Sequence, residues 1–331
     1  VSADVYLRLA VIMATVVLGA ALTRLPVFAR PQAGDPGAAE LAMAMGQLTT
    51  YVLVPALLFR TMARLDLSHM PWPVAQAYFA PVLVGAVLVV LAFKRRSAPV
   101  GPQAPAAAAT RATAAVYGNG VLLGIPMATA VFGEPGLAVH IALVSLHGLL
   151  LLTLLTMSAE VALARAGAPR SLWATLSTMV NSTVMHPVVL PVLAGLAWNL
   201  TGWPLPELAS QILAGLGAPV VPLCLLLIGM NLAQYGWRGT WRPALPQVLF
   251  KLLILPAAVL ISARYVFALE GLALQVAVMM AALPVGTNAL IMAQRYRLLQ
   301  AEATTAIVMS TLAFAITAPM WLWVLSRLSG A

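Results

Sequence analysis

Charge, acidic residues and cysteine are all scarce in this chain of 331 residues, and each scarcity removes a class of protein. Only 8% of the residues are charged, whereas a soluble domain carries roughly 25%. No water-exposed surface of ordinary size can be built from so few, so lipid must surround most of the protein. The single cysteine, Cys224, lies in an apolar run, which excludes a disulfide framework and a cysteine-rich metal site. No His/Asp/Glu spacing suits a metal, no Ser–His–Asp set is convincing, and no glycine-rich loop follows a strand pattern. Neither an enzyme nor a cofactor nor a metal is therefore expected. The net charge of +9 could point to nucleic acid, but the basic residues sit in short clusters between apolar runs. That is the positive-inside pattern of a membrane protein, and no nucleic-acid partner is expected.

What is present is apolar length. Hydrophobic residues make up 62% of the chain, and the mean hydropathy is +0.96. A spanning helix needs roughly 20 mostly apolar residues. Such stretches fall at 5–23, 41–62, 73–93, 112–133, 136–159, 174–200, 209–233, 244–263, 271–294 and 303–325. The first reads as a retained helix rather than a signal peptide, since no basic run precedes it and no cleavage site follows. All eight tryptophans (Trp72, Trp173, Trp198, Trp203, Trp237, Trp241, Trp321 and Trp323) lie near a proposed end, as expected of a headgroup belt. Loops after segments 1, 3, 5, 7 and 9 hold Arg24, Arg30, Lys94, Arg95, Arg96, Arg111, Arg165, Arg170, Arg238, Arg242, Arg295 and Arg297. The opposite side holds Arg8, Arg60, Arg64, Arg264 and Arg327. This bias predicts a multi-pass protein of the cell inner membrane with both termini periplasmic. Ser97 to Thr110, rich in Pro and Ala and uncharged, reads as a mobile cytoplasmic linker without chemistry.

Pairing segments 1 with 6, 2 with 7 and so on reveals a weak internal repeat. Pro55 in YVLVPALLF and Pro222 in APVVPLCLLLIGM occupy similar places. GNGVLLGIP (Gly118 to Pro126) in the fourth segment corresponds to LPVGTN (Leu283 to Asn288) in the ninth. A long apolar segment carrying Ser or Thr follows each. Five helices per half is an odd number, so the second half would insert upside down, as in many transporters.

The fourth and ninth segments are long enough to span, yet each carries helix-weakening residues near mid-depth. These are Gly118, Asn119, Gly120, Gly124 and Pro126 in one, and Pro284, Gly286, Thr287 and Asn288 in the other. A simple kink is the plain explanation of each. The sharper one is that both helices unwind in the membrane, which survives only where protein or water satisfies the bared backbone. Asn119 and Asn288 each add an amide that donates and accepts. One break and one asparagine per repeat point to a binding site at the repeat interface. Half-helices beginning after the breaks aim positive dipole ends at the centre, and neither segment contains an acidic residue. Such a site favours an anion, most simply a small carboxylate.

At these residues the chain resembles the auxin efflux carrier family of bile-acid/auxin-carrier-like transporters. That family includes plant auxin carriers and bacterial malate and malonate permeases. The resemblance rests on VPALLF, GNGVLLGIP, APVVPLCLLLIGMNL, KLLILP and LPVGTNALIMAQRY, in family order along nearly the whole chain. It implies an all-α integral membrane fold of ten helices in two inverted five-helix repeats, 1–165 and 166–331. Helices 4 and 9 would be broken and would cross. Helices 1, 2, 6 and 7 would form a panel against which helices 3–5 and 8–10 move as an elevator. It also implies that the asparagine matching Asn119 binds the substrate's carboxylate region. The plant carriers have a proline before that asparagine where this chain has Gly118, and their second crossover proline falls near Ala289. Those departures argue against auxin and leave organic-anion transport.

Two further side chains are candidates for coupling. Lys251 lies in the eighth segment, about 12 Å deep at 1.5 Å per residue. Its ammonium either snorkels to the interface or stands where sodium-coupled relatives of this fold would bind a cation. Of His140, His147 and His186, His147 is nearest mid-depth and is the best candidate proton relay, although a packing role suits each. The acids Asp4, Glu134, Glu160, Glu207, Glu270 and Glu302 lie at helix ends or loops, which leaves no buried carboxylate relay. A potential of 100 mV is worth about 2.3 kcal/mol per charge, so an uncoupled carrier could still expel an anion. The alternative class is a transporter-like receptor that binds an organic ligand without moving it. A channel would need a ring of charge or a repeated pore motif, and neither is visible. An exposed panel rich in Leu and Ala suits a homodimer without demanding one.

Overall fold

In lipid, every backbone N–H and C=O must find its partner inside the protein, so long apolar runs become helices. The computed structural model follows that rule over the residues it describes: 3–25, 37–64, 72–94, 101–166, 185, 187–235 and 241–329. Among these every named element is helical, and the sole extended pairing is one isolated antiparallel bridge, Gly118 with Val285. In chain order the helices are α1 Ala3–Leu22, α2 Ala38–Leu48, α3 Val54–Ala63, α4 Trp72–Lys94 and α5 Ala107–Val116. Next come α6 Ile125–His147, α7 Thr153–Arg165, α8 Val189–Leu200, α9 Glu207–Gly217 and α10 Val220–Tyr235. The last are α11 Trp241–Leu249, α12 Leu255–Ile261, α13 Gly271–Ala282, α14 Asn288–Arg295 and α15 Gln300–Ser329.

Six helices among the described residues are long and apolar enough to cross a membrane, and three shorter apolar helices accompany them. The longest, Gly120–Arg165, has 46 residues. It would extend roughly 70 Å at 1.5 Å per residue, more than twice a hydrocarbon core of about 30 Å. It is divided at Gly133, whose φ of 65° and ψ of −164° are not helical. That break separates the expected fourth and fifth segments. Residues 167–184 and 186, which include the first part of the expected sixth segment and His186, lie outside the described residues; within that segment Val189–Leu200 is helical.

Prolines write a second pattern into the helices. Wide π-turns at Thr49–Leu53, Gly120–Gly124 and Phe250–Ile254 each end two residues before a proline, namely Pro55, Pro126 and Pro256. Proline has no N–H and clashes with the carbonyl four residues back, so a locally widened turn lets the helix continue.

Three sequence expectations need correction. The expected linker is structured where it is described. Ala104–Ala106 form a short 3-10 turn, α5 begins at Ala107, and Ala106 to Thr110 are buried. A run of alanines reads as a linker by its lack of periodicity, yet small side chains on all faces suit a helix enclosed on every side. Trp321 is not a belt residue. It is buried, and its indole N–H donates to the Leu252 carbonyl at 2.8 Å. Finally, a buried carboxylate does exist: Glu160 is only 1% exposed. It accepts a hydrogen bond from the Tyr296 hydroxyl at 2.9 Å and lies 3.9 Å from the Arg295 guanidinium. A position near a helix end looked solvated in sequence, but tertiary neighbours cover it.

The chain divides into two contact units. The first comprises Val1–Met70, Val121–Ser145 and Met185–Gly236. Its most extensive pairing lays α1 along α10, and α8 packs on α3. Glycines make the α1–α10 approach close. A methyl group on Gly229 would overlap the Val16 carbonyl oxygen, and one on Gly19 would overlap that of Leu226. Small residues let membrane helices touch backbone to backbone, where dispersion replaces the missing hydrophobic drive. The second unit comprises Pro71–Gly120, Leu146–Val184 and Trp237–Ala331. There α4 packs on α5, α11 on α15 and α12 on α13.

Replacing Gly229 by leucine should therefore cost about 1–3 kcal/mol, the range for overpacking a tight contact. The detergent-purified variant should melt several degrees below the parent. Gly215→Ala, at a glycine with open space around it, should melt with the parent. Equal melting of Gly229→Leu and the parent would disprove the close helix contact.

Candidate functional site

The second unit brings the two irregular motifs together. After α5 the chain runs extended through Tyr117, and after α13 through Leu283. Across the break, Asn119 N–H donates to the Pro284 carbonyl at 2.8 Å and Gly286 N–H donates to the Tyr117 carbonyl at 2.9 Å. The two bonds flank the Gly118–Val285 bridge. In such an antiparallel pair the N–H groups of the two bridging residues point outward and need other partners. Both find one. Gly118 N–H donates to His147 Nε2 at 3.3 Å, and Val285 N–H donates to Ser310 Oγ at 3.0 Å. Each partner lies on the long apolar segment that follows its own break.

The close approach explains Gly286. A Cβ there would stand 2.8 Å from the Gly118 carbonyl oxygen and 3.1 Å from the Tyr117 ring. No other residue type fits without parting the bridge. Gly120 N–H closes a tight turn onto the Gly118 carbonyl at 2.9 Å, and the chain re-enters a helix through the π-turn that ends before Pro126. Asn119, Gly120, Pro126, Pro284 and Gly286 are buried, while Thr287 and Asn288 are half-buried at the start of α14.

His147 is tied on both sides. Because Nε2 accepts from Gly118 N–H, the neutral ring carries its proton on Nδ1, which donates to the Tyr78 hydroxyl 3.0 Å away. An imidazole protonated on both nitrogens could not hold Gly118. Lys251 does not snorkel. It is fully buried, and its ammonium donates to the Ala281 carbonyl in the last turn of α13. The same ammonium comes within 3.3 Å of where a Cβ on Gly118 would stand. A cation there compensates the negative end of α13.

Four helix ends thus meet at the bridge. Two are N-terminal, at Gly120 and Asn288, and two are C-terminal, at Val116 and Ala282. Lys251 adds its amine as a donor at the carbonyl end of α13. At the end of the unit where α15 begins, the charges are paired. Arg111 forms a bidentate pair with Glu302 at 2.9 and 3.1 Å, Gln247 donates to the same carboxylate, and the Arg111 guanidinium also lies 5.6 Å from the Phe93 ring centre.

The structure brings Gly118, Asn119, Gly120, Pro284, Gly286, Asn288, Lys251 and His147 into one neighbourhood. Sequence reasoning missed Tyr117, Tyr78 and Ser310. Tyr117 sets its ring 4.4 Å from that of His147, tilted by 60°. The serine expected on a long segment after each break was a partial signal for Ser310; nothing in sequence singled out either tyrosine.

The chain is similar to known membrane transport proteins. The family model described as "Membrane transport protein" matches residues 39–322. A protein of Rhizobium meliloti (strain 1021) named "Putative malonate transporter" is 26% identical over 284 residues, spanning 81% of this chain and 83% of its own.

Ser310→Ala removes the acceptor of Val285 N–H. Leaving a buried donor unpaired costs about 1–3 kcal/mol, so this variant should melt several degrees below the parent in detergent. Ser158→Ala, whose hydroxyl bonds only a carbonyl of its own helix, should melt within about a degree of it, the small effect usual for substitutions away from such features. Equal melting of the two variants would show that Ser310 does not hold the bridge.

Proposed function

Since the chain belongs to the membrane transport protein family, the auxin efflux carrier group whose motifs it carries, we propose that this multi-pass membrane protein carries small organic anions, most simply carboxylates, across the cell inner membrane. One observation carries the proposal. Two broken helices are pinned back to back, so that two half-helices begin at one point with an asparagine at each start and a buried ammonium alongside. Free N–H groups and positive dipole ends bind carboxylates well. The relative named for malonate suggests a compact dicarboxylate as the first substrate to try.

We read the fold as ten helices in two inverted repeats, 1–165 and 166–331. The bridge supports this reading by its symmetry. Tyr117–Asn119 and Pro284–Gly286 exchange equivalent bonds, and each bridging N–H is held from the segment that follows its own break. A local two-fold of that kind is what inverted repeats would produce. The division into two contact units, one holding segments 1, 2 and 7 together with residues 121–145, is compatible with an elevator that moves a crossing domain against a panel. Substrate would be held by Asn119 and Asn288, with Gly118, Gly120, Pro126, Pro284, Gly286 and Thr287 shaping the backbone around it. Lys251 supplies fixed charge in place of a coupling cation, and His147 is the residue through which protonation would reach the crossing. Both termini lie on the periplasmic side in this reading. The pairing of Arg111, Glu302, Glu160 and Arg295 at the opposite end of the second unit accords with it.

Proteoliposomes loaded with labelled malonate, malate or an aromatic acid, under imposed pH and potential gradients, test the function. Saturable malonate flux is expected, cut at least tenfold in Asn119→Ala/Asn288→Ala, the loss of about 1.4 kcal/mol of substrate stabilisation. Saturable binding without flux would replace the carrier with a receptor. Failure to bind any acid would overturn the anion site.

A further inference from the structure

We propose that the carrier takes up a proton together with its anion, that His147 Nε2 is the atom that holds the proton, and that the bound carboxylate is its counter-charge. The proposal rests on the carboxylate reading above and adds to it the coupling ion and the sign of the coupling.

The two outward N–H groups of the bridge are held unequally. Val285 N–H is taken at 3.0 Å by Ser310 Oγ, a hydroxyl that does not titrate near neutral pH. Gly118 N–H is taken at 3.3 Å by His147 Nε2, which accepts only while it carries no proton. Protons therefore act on the strand that carries Asn119 and leave the other strand alone. The bonds across the bridge, from Asn119 N–H and from Gly286 N–H, do not involve the imidazole, so the crossing holds when it is protonated. Protonation leaves two donors, Gly118 N–H and Nε2–H, facing each other where one bond had been. A carboxylate oxygen answers both, and Asn119, where the reading above puts the anion, is the next residue.

The second unit has no anion of its own to spare for that charge. Its sequence holds three carboxylates, Glu160, Glu270 and Glu302. Each is engaged elsewhere: Glu160 with Tyr296 and Arg295, Glu270 with Arg264, and Glu302 with Arg111 and Gln247. Among the described residues, the titratable groups around His147 are phenols and bases. Tyr78 of α4 meets Nδ1 at 3.0 Å, and Tyr117 sets its ring 4.4 Å away. Lys251 brings its amine against Gly118, and His140 stands two turns back along α6. Phenols are neutral near pH 7 and the other groups are basic, so within this unit a proton on His147 meets negative charge only when the substrate arrives. Anion and proton thus bind with positive coupling, and each strengthens the other by the same factor. For a dianion such as malonate, one accompanying proton halves the charge moved across the membrane.

Calorimetry of malonate binding to the detergent-purified parent near pH 7, repeated in buffers of different ionisation enthalpy, counts the protons taken up. A net uptake of at most one proton per malonate is expected. It should vanish in His147→Gln, whose amide oxygen can still accept from Gly118 N–H but does not titrate. Malonate's own titration is common to both proteins and cancels between them. Relative to the variant's, the parent's half-saturation should fall about tenfold from pH 8 to pH 6, within the usual range of coupling between two sites. If His147→Gln does not yield folded protein, the parent in proteoliposomes decides: malonate entry at clamped potential should carry protons in, read by a lumenal pH dye. Entry without protons, uptake undiminished in His147→Gln, or affinity that weakens on acidification relative to the variant would overturn the role of His147 and leave the carboxylate site standing. Failure of both proteins to bind malonate would overturn the site itself, and this proposal with it.

Discussion

The structure depends on how a backbone without helical hydrogen bonds is kept satisfied within a membrane protein. A bare N–H or C=O in hydrocarbon costs several kcal/mol, and two chain breaks expose several such groups at once. Here each break is the other's solvent. Asn119 and Gly286 donate across the bridge, and His147 and Ser310 take the N–H groups that point away. The arrangement tolerates glycine at 286 because the facing carbonyl leaves no room for a side chain. It requires a neutral acceptor nitrogen on His147. A crossing built this way is rigid, since every backbone group that leaves one partner must abandon another.

The few charges are placed where they do the most. Among the described residues, Lys251 is a fully buried lysine whose amine donates to the carbonyl end of a half-helix. Arg111 and Glu302 neutralise each other in a partly buried bidentate pair, and Glu160 is held between Tyr296 and Arg295. Charge-assisted bonds are shorter and stronger than neutral ones, and burying an unpaired ion would be prohibitive. The α15-entry end of the second unit is thereby balanced.

Each unit has its own kind of internal packing. In the first, glycines at 19 and 229 let helices meet backbone to backbone, so shape complementarity does the work that water-driven burial does in soluble proteins. In the second, polar ties and the bridge add to packing. Proline has the same function in both. The π-turns at 49–53, 120–124 and 250–254 let the helices continue past Pro55, Pro126 and Pro256.

Much of this was legible in the amino-acid sequence. Scarce charge and long apolar runs determined a helical membrane protein, because lipid permits little else. Glycine, proline and asparagine at 118–126 and 284–288 marked both breaks, and the expected boundary between segments 112–133 and 136–159 falls where the 46-residue helix departs from helical geometry. Family membership followed from the same motifs. Local pattern could not reveal what distant segments do to a residue. Glu160 looked like a solvated helix end until Tyr296 and Arg295 covered it, and Ala104 to Thr110 looked like a linker until neighbouring helices enclosed them. Trp321 looked like a belt residue, yet it donates inward to Leu252. The residues that tie the bridge, Tyr78 and Ser310, carry no motif, because hydrogen bonds between residues 69 and 25 positions apart leave no periodic trace. Composition determined the solvent, and the solvent determined the helices. Only the tertiary structure decided which buried polar group answers which, because in a medium without water that pairing is made across the fold rather than along the chain.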